Sequence, residues 1–139
     1  MTEPLRTYAS VPNLLIHWFA TVRDSLPVSV PERSVSTDLP SDYAAHLPFV
    51  RLNRVGGPRS LGIDTARVRV EVFASSYDDA ERLANTLDGL IEFHLNGHSD
   101  GNGTVIKTGV QSGMSWTQWL DENVERFMGT YTIHVAALR

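Results

Sequence analysis

The sequence predicts an α+β domain: a mostly antiparallel or mixed sheet of about four strands, with two helices packed on one face. Three observations lead to that fold class. Two segments, near residues 11–26 and 77–94, repeat apolar residues every three or four positions. Between them, residues 66–74 alternate strictly with period two. The strand candidates follow one another across short turns, and no internal repeat is present. A chain of 139 residues is long enough for one domain with its own core and too short for two ordinary ones, so the expectation is a single domain spanning 1–139.

The first helix starts where Ser10 can act as N-cap and Pro12 sits in the first turn, which has no use for its missing N–H. Leu14, Leu15, Trp18, Phe19, Val22 and Leu26 then form one wide apolar face, and Pro27 ends the helix. Residues 27–48 carry Pro27, Pro31, Pro40 and Pro48 among serines and aspartates, which predicts a long extended connection with a short strand near Val28–Val30. Connections of that length in small domains tend to be functional, or partly disordered until bound. A strand is expected over Phe49–Val55, closed by Gly56-Gly57-Pro58, with a polar loop to Asp64. In the next strand, Ala66–Ala74, Val68, Val70 and Val72 face one way while Arg67, Arg69 and Glu71 face the other.

The second helix follows Ser76, with Asp78 and Asp79 complementing the dipole of its first turn. Ala80, Leu83, Ala84, Leu87, Leu90, Ile91 and His94 form its apolar face, and Asn96-Gly97 is its stop. A Gly/Ser/Asp/Asn loop covers 97–103 and a strand is expected over Thr104–Val110, weakened at its far end by Gly109 and Gly113. Trp116, Trp119 and Leu120 have the spacing of a short helical turn within Ser115–Glu125. The closing strand, Arg126–Leu138, buries Phe127, Tyr131, Ile133, Val135 and Ala137 on one face.

Composition narrows the function classes. Hydrophobic residues at 42% and charged residues at 20% exclude a wholly disordered chain. The net charge of −4 argues against phosphate-driven nucleic-acid binding, so no specific nucleic-acid partner is expected. With no cysteine there is no disulfide, thiolate nucleophile or cysteine-based zinc site. The longest apolar stretch, Val11–Leu26, is interrupted by His17, Arg23 and Asp24, so no membrane span is expected. The opening residues MTEPLRTYAS lack the pattern of a secretory signal, and the cytoplasm is the expected compartment.

No catalytic, cofactor or metal residues are expected from the sequence. His94 and His98 have metal-ligand spacing, but Asn96-Gly97 should end the helix between them and no glutamate follows His94. His134 faces away from Ile133 and Val135, His17 lies on a helix flank, and His46 has no obvious partner. There is no Gly-x-Ser-x-Gly elbow, and neither glycine-rich turn fits a phosphate loop. What stands out instead is a cluster of basic residues, Arg51, Arg54, Arg59, Arg67 and Arg69, around two adjacent strands. Arg51, Arg54, Arg67 and Arg69, together with Trp116 and Trp119, are the candidate interface residues. Arginine suits paired contacts, and tryptophan in an irregular segment is a frequent anchor of protein association. A solvated sheet face explains the same arginines without any partner.

From Val50 to Leu87 the sequence resembles the tail-terminator (tail-to-head joining) family of long-tailed bacteriophages. The resemblance is carried by Leu26-Pro27, Arg54-Val55-Gly56-Gly57, Asp64, the strand Val68–Ala74 and the helix start Asp79-Ala80-Glu81-Arg82-Leu83-Ala84. The closing Tyr131-Thr132-Ile133-His134-Val135 fits as well. One departure is that Gly113-Met114-Ser115-Trp116 lacks the proline that members often carry before the last strand. The resemblance implies a non-enzymatic subunit of a homo-oligomeric, hexameric ring that caps the tail tube, ends elongation and offers a surface to the head-side connector or stopper. It would place the chain at the head–tail junction of the virion, and in the host cytoplasm during assembly. The long loops at Pro31–Pro48 and Gly97–Gly103 would be its candidate tube or connector contacts. Alternatives are a neck or head-completion protein of the same particle, or a small α+β ligand-binding or enzyme domain.

Overall fold

Ser10 accepts a hydrogen bond from the Asn13 N–H at 3.2 Å and opens helix α1, Val11–Val22. A short 3-10 turn at Arg23–Ser25 carries the chain to Leu26 and Pro27. Helix α2, Tyr77–Gly89, starts the same way, with Ser76 capping the Asp79 N–H, and runs on into a π-helical turn at Leu90–His94. The computed structural model describes residues 7–136. The opening six residues and the expected strand end at Ala137 and Leu138 lie outside them.

The sheet departs from expectation. Instead of about four strands with two helices packed on one face, the chain forms one seven-stranded sheet, a curled half-barrel, with the two helices as the minor component. Its strands are β1 (Val35–Ser36), β2 (Phe49–Gly56), β3 (Arg59–Ser60), β4 (Ile63–Ala74), β5 (Ser99–Asp100), β6 (Gly103–Trp116) and β7 (Glu125–Ala136). They are ordered β1-β2-β4-β7-β6-β5, with β3 paired to β4. Only β1 and β2 run parallel; every other pair is antiparallel. The physical reason for the curl lies in strand length and bulging. Strands of 12 to 14 residues accumulate twist, and register shifts at Arg54/Gly56 in β2 and at three places in β6 bend the sheet further.

Three local expectations also change. The short strand expected near Val28–Val30 forms instead at Val35–Ser36, where it pairs with Val50 and Arg51 of β2. The helical turn expected within Ser115–Glu125 does not form: β6 runs on to Trp116, and an irregular loop links it to β7. The loop expected to reach Asp64 is shortened by the β3–β4 hairpin, which places Asp64 inside a strand.

The inner face of the sheet carries Val50, Leu52, Val68, Val70, Val72, Tyr131, Ile133 and Val135. All are buried in one cluster with the apolar faces of both helices. Helix α1 packs against β2, and α2 lies across β4, β7 and β6. A second, smaller cluster sits at the opposite face near one sheet end, where Phe49, Phe73 and Val124 are buried beneath Leu39, Tyr43, Leu47 and Trp119. The long connection 27–48 supplies part of that cover, folded through 3-10 turns at Glu32–Ser34 and Tyr43–His46.

Candidate interaction surface

Pairing register fixes which side chains share the outer face. Arg51 lies opposite Glu71 and Met128, Asn53 opposite Arg69 and Thr130, and Arg67 opposite Thr132 and Gly109. Next in line, Thr65 faces His134 and Lys107. This face therefore presents arginine, lysine, threonine and histidine, with Glu71 its one carboxylate on those rows.

Glu71 is 1% exposed and is surrounded by cations. Its Oε1 accepts from Arg51 Nε at 2.7 Å and lies 2.6 Å from Arg51 Nη2 in the same ion pair, and its Oε2 accepts from Arg126 Nη1 at 3.1 Å. Arg69 Nε stands 3.8 Å away. Burying a carboxylate is costly unless it is paired and hydrogen-bonded, and here both oxygens are engaged. One negative charge among three guanidinium groups leaves the cluster net positive.

The remaining predicted interface residues are placed as follows. Arg54 is on the inner side of β2, where its Nη1 donates to the buried Asp64 at 2.5 Å and its Nη2 donates to the Gly57 carbonyl at 3.0 Å. Arg59 joins the same carboxylate at 3.1 Å. Arg51 and Arg54 are thus held in internal ion pairs, whereas Arg67 is exposed and Arg69 is half-exposed. Trp116 is half-exposed and donates from Nε1 to Glu125 at 2.7 Å. Trp119 packs edge-on against Phe73 with centroids 5.0 Å apart, donates to the Tyr43 hydroxyl at 2.8 Å, and lies 4.6 Å beneath the Arg126 guanidinium. The structure joins Arg51, Arg69 and Trp119 into one network through Glu71 and Arg126. It sets Arg54 apart on the other face.

Sequence reasoning missed Glu71, Asp64 and Arg126 as the organisers of this surface. A signal was available: an acid two residues from Arg69 on a face otherwise basic, opposite Arg51 in the next strand.

The histidines are distributed differently. His94 Nδ1 accepts from Trp18 Nε1 at 3.1 Å, and His98 Nε2 lies 2.9 Å from Asp100, with His17 Nδ1 at 3.4 Å from the same carboxylate. Burial works to raise the Asp100 pKa. The Asn102 N–H, His98 and then His17 outweigh it, and the carboxyl titrates below its ordinary value. Among the described residues no group of three or more His, Asp or Glu side chains is arranged to hold a metal ion, and no helix is long and apolar enough to cross a membrane. Tyr131 donates to Asp88 on α2. Burial, and then that carboxylate, push its phenol well above the ordinary range.

Strand β6 is the exposed long edge. β5 pairs only with its first residues, Gly103 and Thr104, leaving Ile106, Val110 and Trp116 partly open to solvent. Its three register shifts interrupt the regular row of backbone groups that another strand would need, and the Asp88 carboxylate caps the Met114 N–H. Beyond β6, the 117–124 loop projects Leu120, 95% exposed, beside an open concavity of about 620 Å³ lined by Gln118, Trp119, Leu120 and Arg126. The space inside the main core, by contrast, is about 10 Å³, below what a ligand requires.

No family model and no curated protein matches the chain. Among solved structures, a chain from the virion of a native gene transfer agent particle is similar, with a TM-score of 0.51 and 13% sequence identity. The match covers 75% of this chain and 79% of that chain, and at this identity it establishes a shared fold.

Proposed function

We propose that the chain is a structural subunit of a phage-like virion, and more specifically a tail terminator. In this reading it is a non-enzymatic protein that assembles with copies of itself as a ring, most simply a hexamer, on the end of the tail tube. The ring ends elongation and gives the head-side connector a surface to join. The observation that carries the reading is the fold shared with a virion chain over 75% of this sequence. The order and spacing of Leu26-Pro27, Arg54-Val55-Gly56-Gly57 and Asp79–Ala84 add to it. A ring subunit needs complementary surfaces rather than a pocket, and an open basic sheet face with an exposed apolar loop at one end suits that need.

Light scattering across a concentration series tests the reading. The expected result is a species of about six times the 15.4 kDa subunit mass, or conversion to it as concentration rises. A chain that stays monomeric at every concentration, and also fails to bind tail-tube ends, would overturn it.

A further inference from the structure

We infer that the basic outer sheet face of one copy receives the Leu120 loop of the next copy, so that the ring closes through a head-to-tail contact. This rests on the ring reading above and names the two patches that would meet.

The receiving patch is built around Arg67 and Lys107, both exposed and, among the described residues, without a carboxylate in ion-pair reach. They flank β7 on the outer face, two strands apart with Thr132 and His134 between them, and Gly109, opposite Thr132, leaves the β6 side of that row without a side chain. A Cβ built at Gly109 would come no closer than 4.0 Å to any neighbour, so the depression is open. Arg69 continues the patch toward the net-positive Glu71 cluster.

The inserting patch is the 117–124 loop. Leu120 projects almost fully into solvent. Asp121 and Glu122 follow Leu120 directly, and neither has a lysine or arginine partner among the described residues. Asp121 caps the Asn123 N–H at 2.9 Å, which fixes the turn that presents Leu120. An apolar knob flanked by two carboxylates complements a smooth spot flanked by two cations.

The two patches cannot satisfy one another within a chain. Trp119 anchors the loop on Phe73, and Phe73 is six positions along β4 from Arg67, roughly 20 Å away at strand rise. Different patches at opposite ends of one subunit give a heterologous contact, which propagates from copy to copy and closes when the rotation allows. The charge distribution agrees: the chain is net −4, yet this sheet face is positive, so its counter-charge lies elsewhere on the same molecule.

Charge exchange tests the pairing. The paired variants Asp121→Lys/Glu122→Lys and Arg67→Glu/Lys107→Glu are compared with the unaltered chain by light scattering, with circular dichroism confirming folding. Each pair alone should shift the mass from ring to subunit, and the chain carrying all four changes should recover the ring. Raising the salt concentration should dissociate the unaltered ring, since exposed charges are screened. Rings that survive both single exchanges would overturn the contact and leave the ring reading standing. Failure of the four-fold variant to reassemble would overturn the mutual pairing. An unaltered chain that never assembles would instead remove the ring reading and the contact with it. Loss of salt-sensitive DNA retention in Arg67→Glu/Lys107→Glu, with assembly intact, would reassign the basic face to nucleic acid and overturn the contact.

Discussion

Replacing Glu71 by Gln should destabilise the fold severely, although the side chain keeps its shape. The carboxylate is 1% exposed and accepts hydrogen bonds from Arg51 and Arg126, with a second Arg51 nitrogen in ion-pair contact and Arg69 close by. Gln leaves one oxygen to accept and turns an NH2 toward a guanidinium, so three cations face one another with no counter-charge. Removing one partner of a buried ion pair costs about 3–5 kcal/mol. Arg51 and Arg126 are 21% and 14% exposed, and solvent reaching them moves the expectation to the lower end, about 3 kcal/mol. For a chain of 139 residues this lowers the melting temperature by roughly 10 °C. Thermal unfolding followed by circular dichroism measures it. Adding Arg69→Gln to the Glu71→Gln chain should recover part of the loss, because it removes one of the repelling cations. A drop smaller than about 3 °C, or no recovery, would refute the reasoning that this carboxylate holds the outer face together.

Other predictions probe separate parts of the molecule. Trp119→Ala empties the small aromatic cluster with Tyr43 and Phe73 and should cost about 3 kcal/mol in urea unfolding. Gly57→Ala should be among the most damaging single changes, seen as loss of soluble folded protein. Gly57 has φ +105°, and an added Cβ would sit 2.0 Å from the Thr65 carbonyl oxygen. Asp100 has a depressed folded pKa, so its contribution is present above the ordinary value of 3.8 and is lost as pH falls through the lower folded value. The stability gap between the natural chain and Asp100→Asn should close in that range below 3.8. Tyr131 has a raised folded pKa, so its contribution holds below the ordinary 10.0 and is lost as pH rises beyond it. Tyr131→Phe should be less stable by about 1–2 kcal/mol at neutral pH and should lack the alkaline loss, both read by urea titration.

Elements with a local signal were legible in the sequence. Ser10 and Ser76 cap the helices, and the three- and four-residue spacing of Leu14–Val22 and Ala80–Leu87 matches the buried faces. β4 was legible because its inner valines and outer charges alternate without interruption. β6 was legible only over Thr104–Val110; beyond that it is a largely exposed strand whose register shifts break period two. Glycines 109 and 113 hid its length, while Trp116 and Trp119 fell by accident on helical spacing. Trp119 in fact reaches back over Phe73, a tertiary contact no local pattern encodes. β3 and β5, at two residues each, are too short to show any periodicity. The number of strands, and with it the half-barrel, therefore escaped. The arginines were visible as a group, but their division between internal pairs and open surface depends on register, which places Arg51 against Glu71 and Arg54 near Asp64.

Electron microscopy of growing tail tubes, with and without this chain, shows whether the chain ends tube growth. A tail terminator added with the cognate tail-tube protein is expected to shorten the tubes and leave a ring at one end of each. Unchanged tube lengths with bare ends would contradict it.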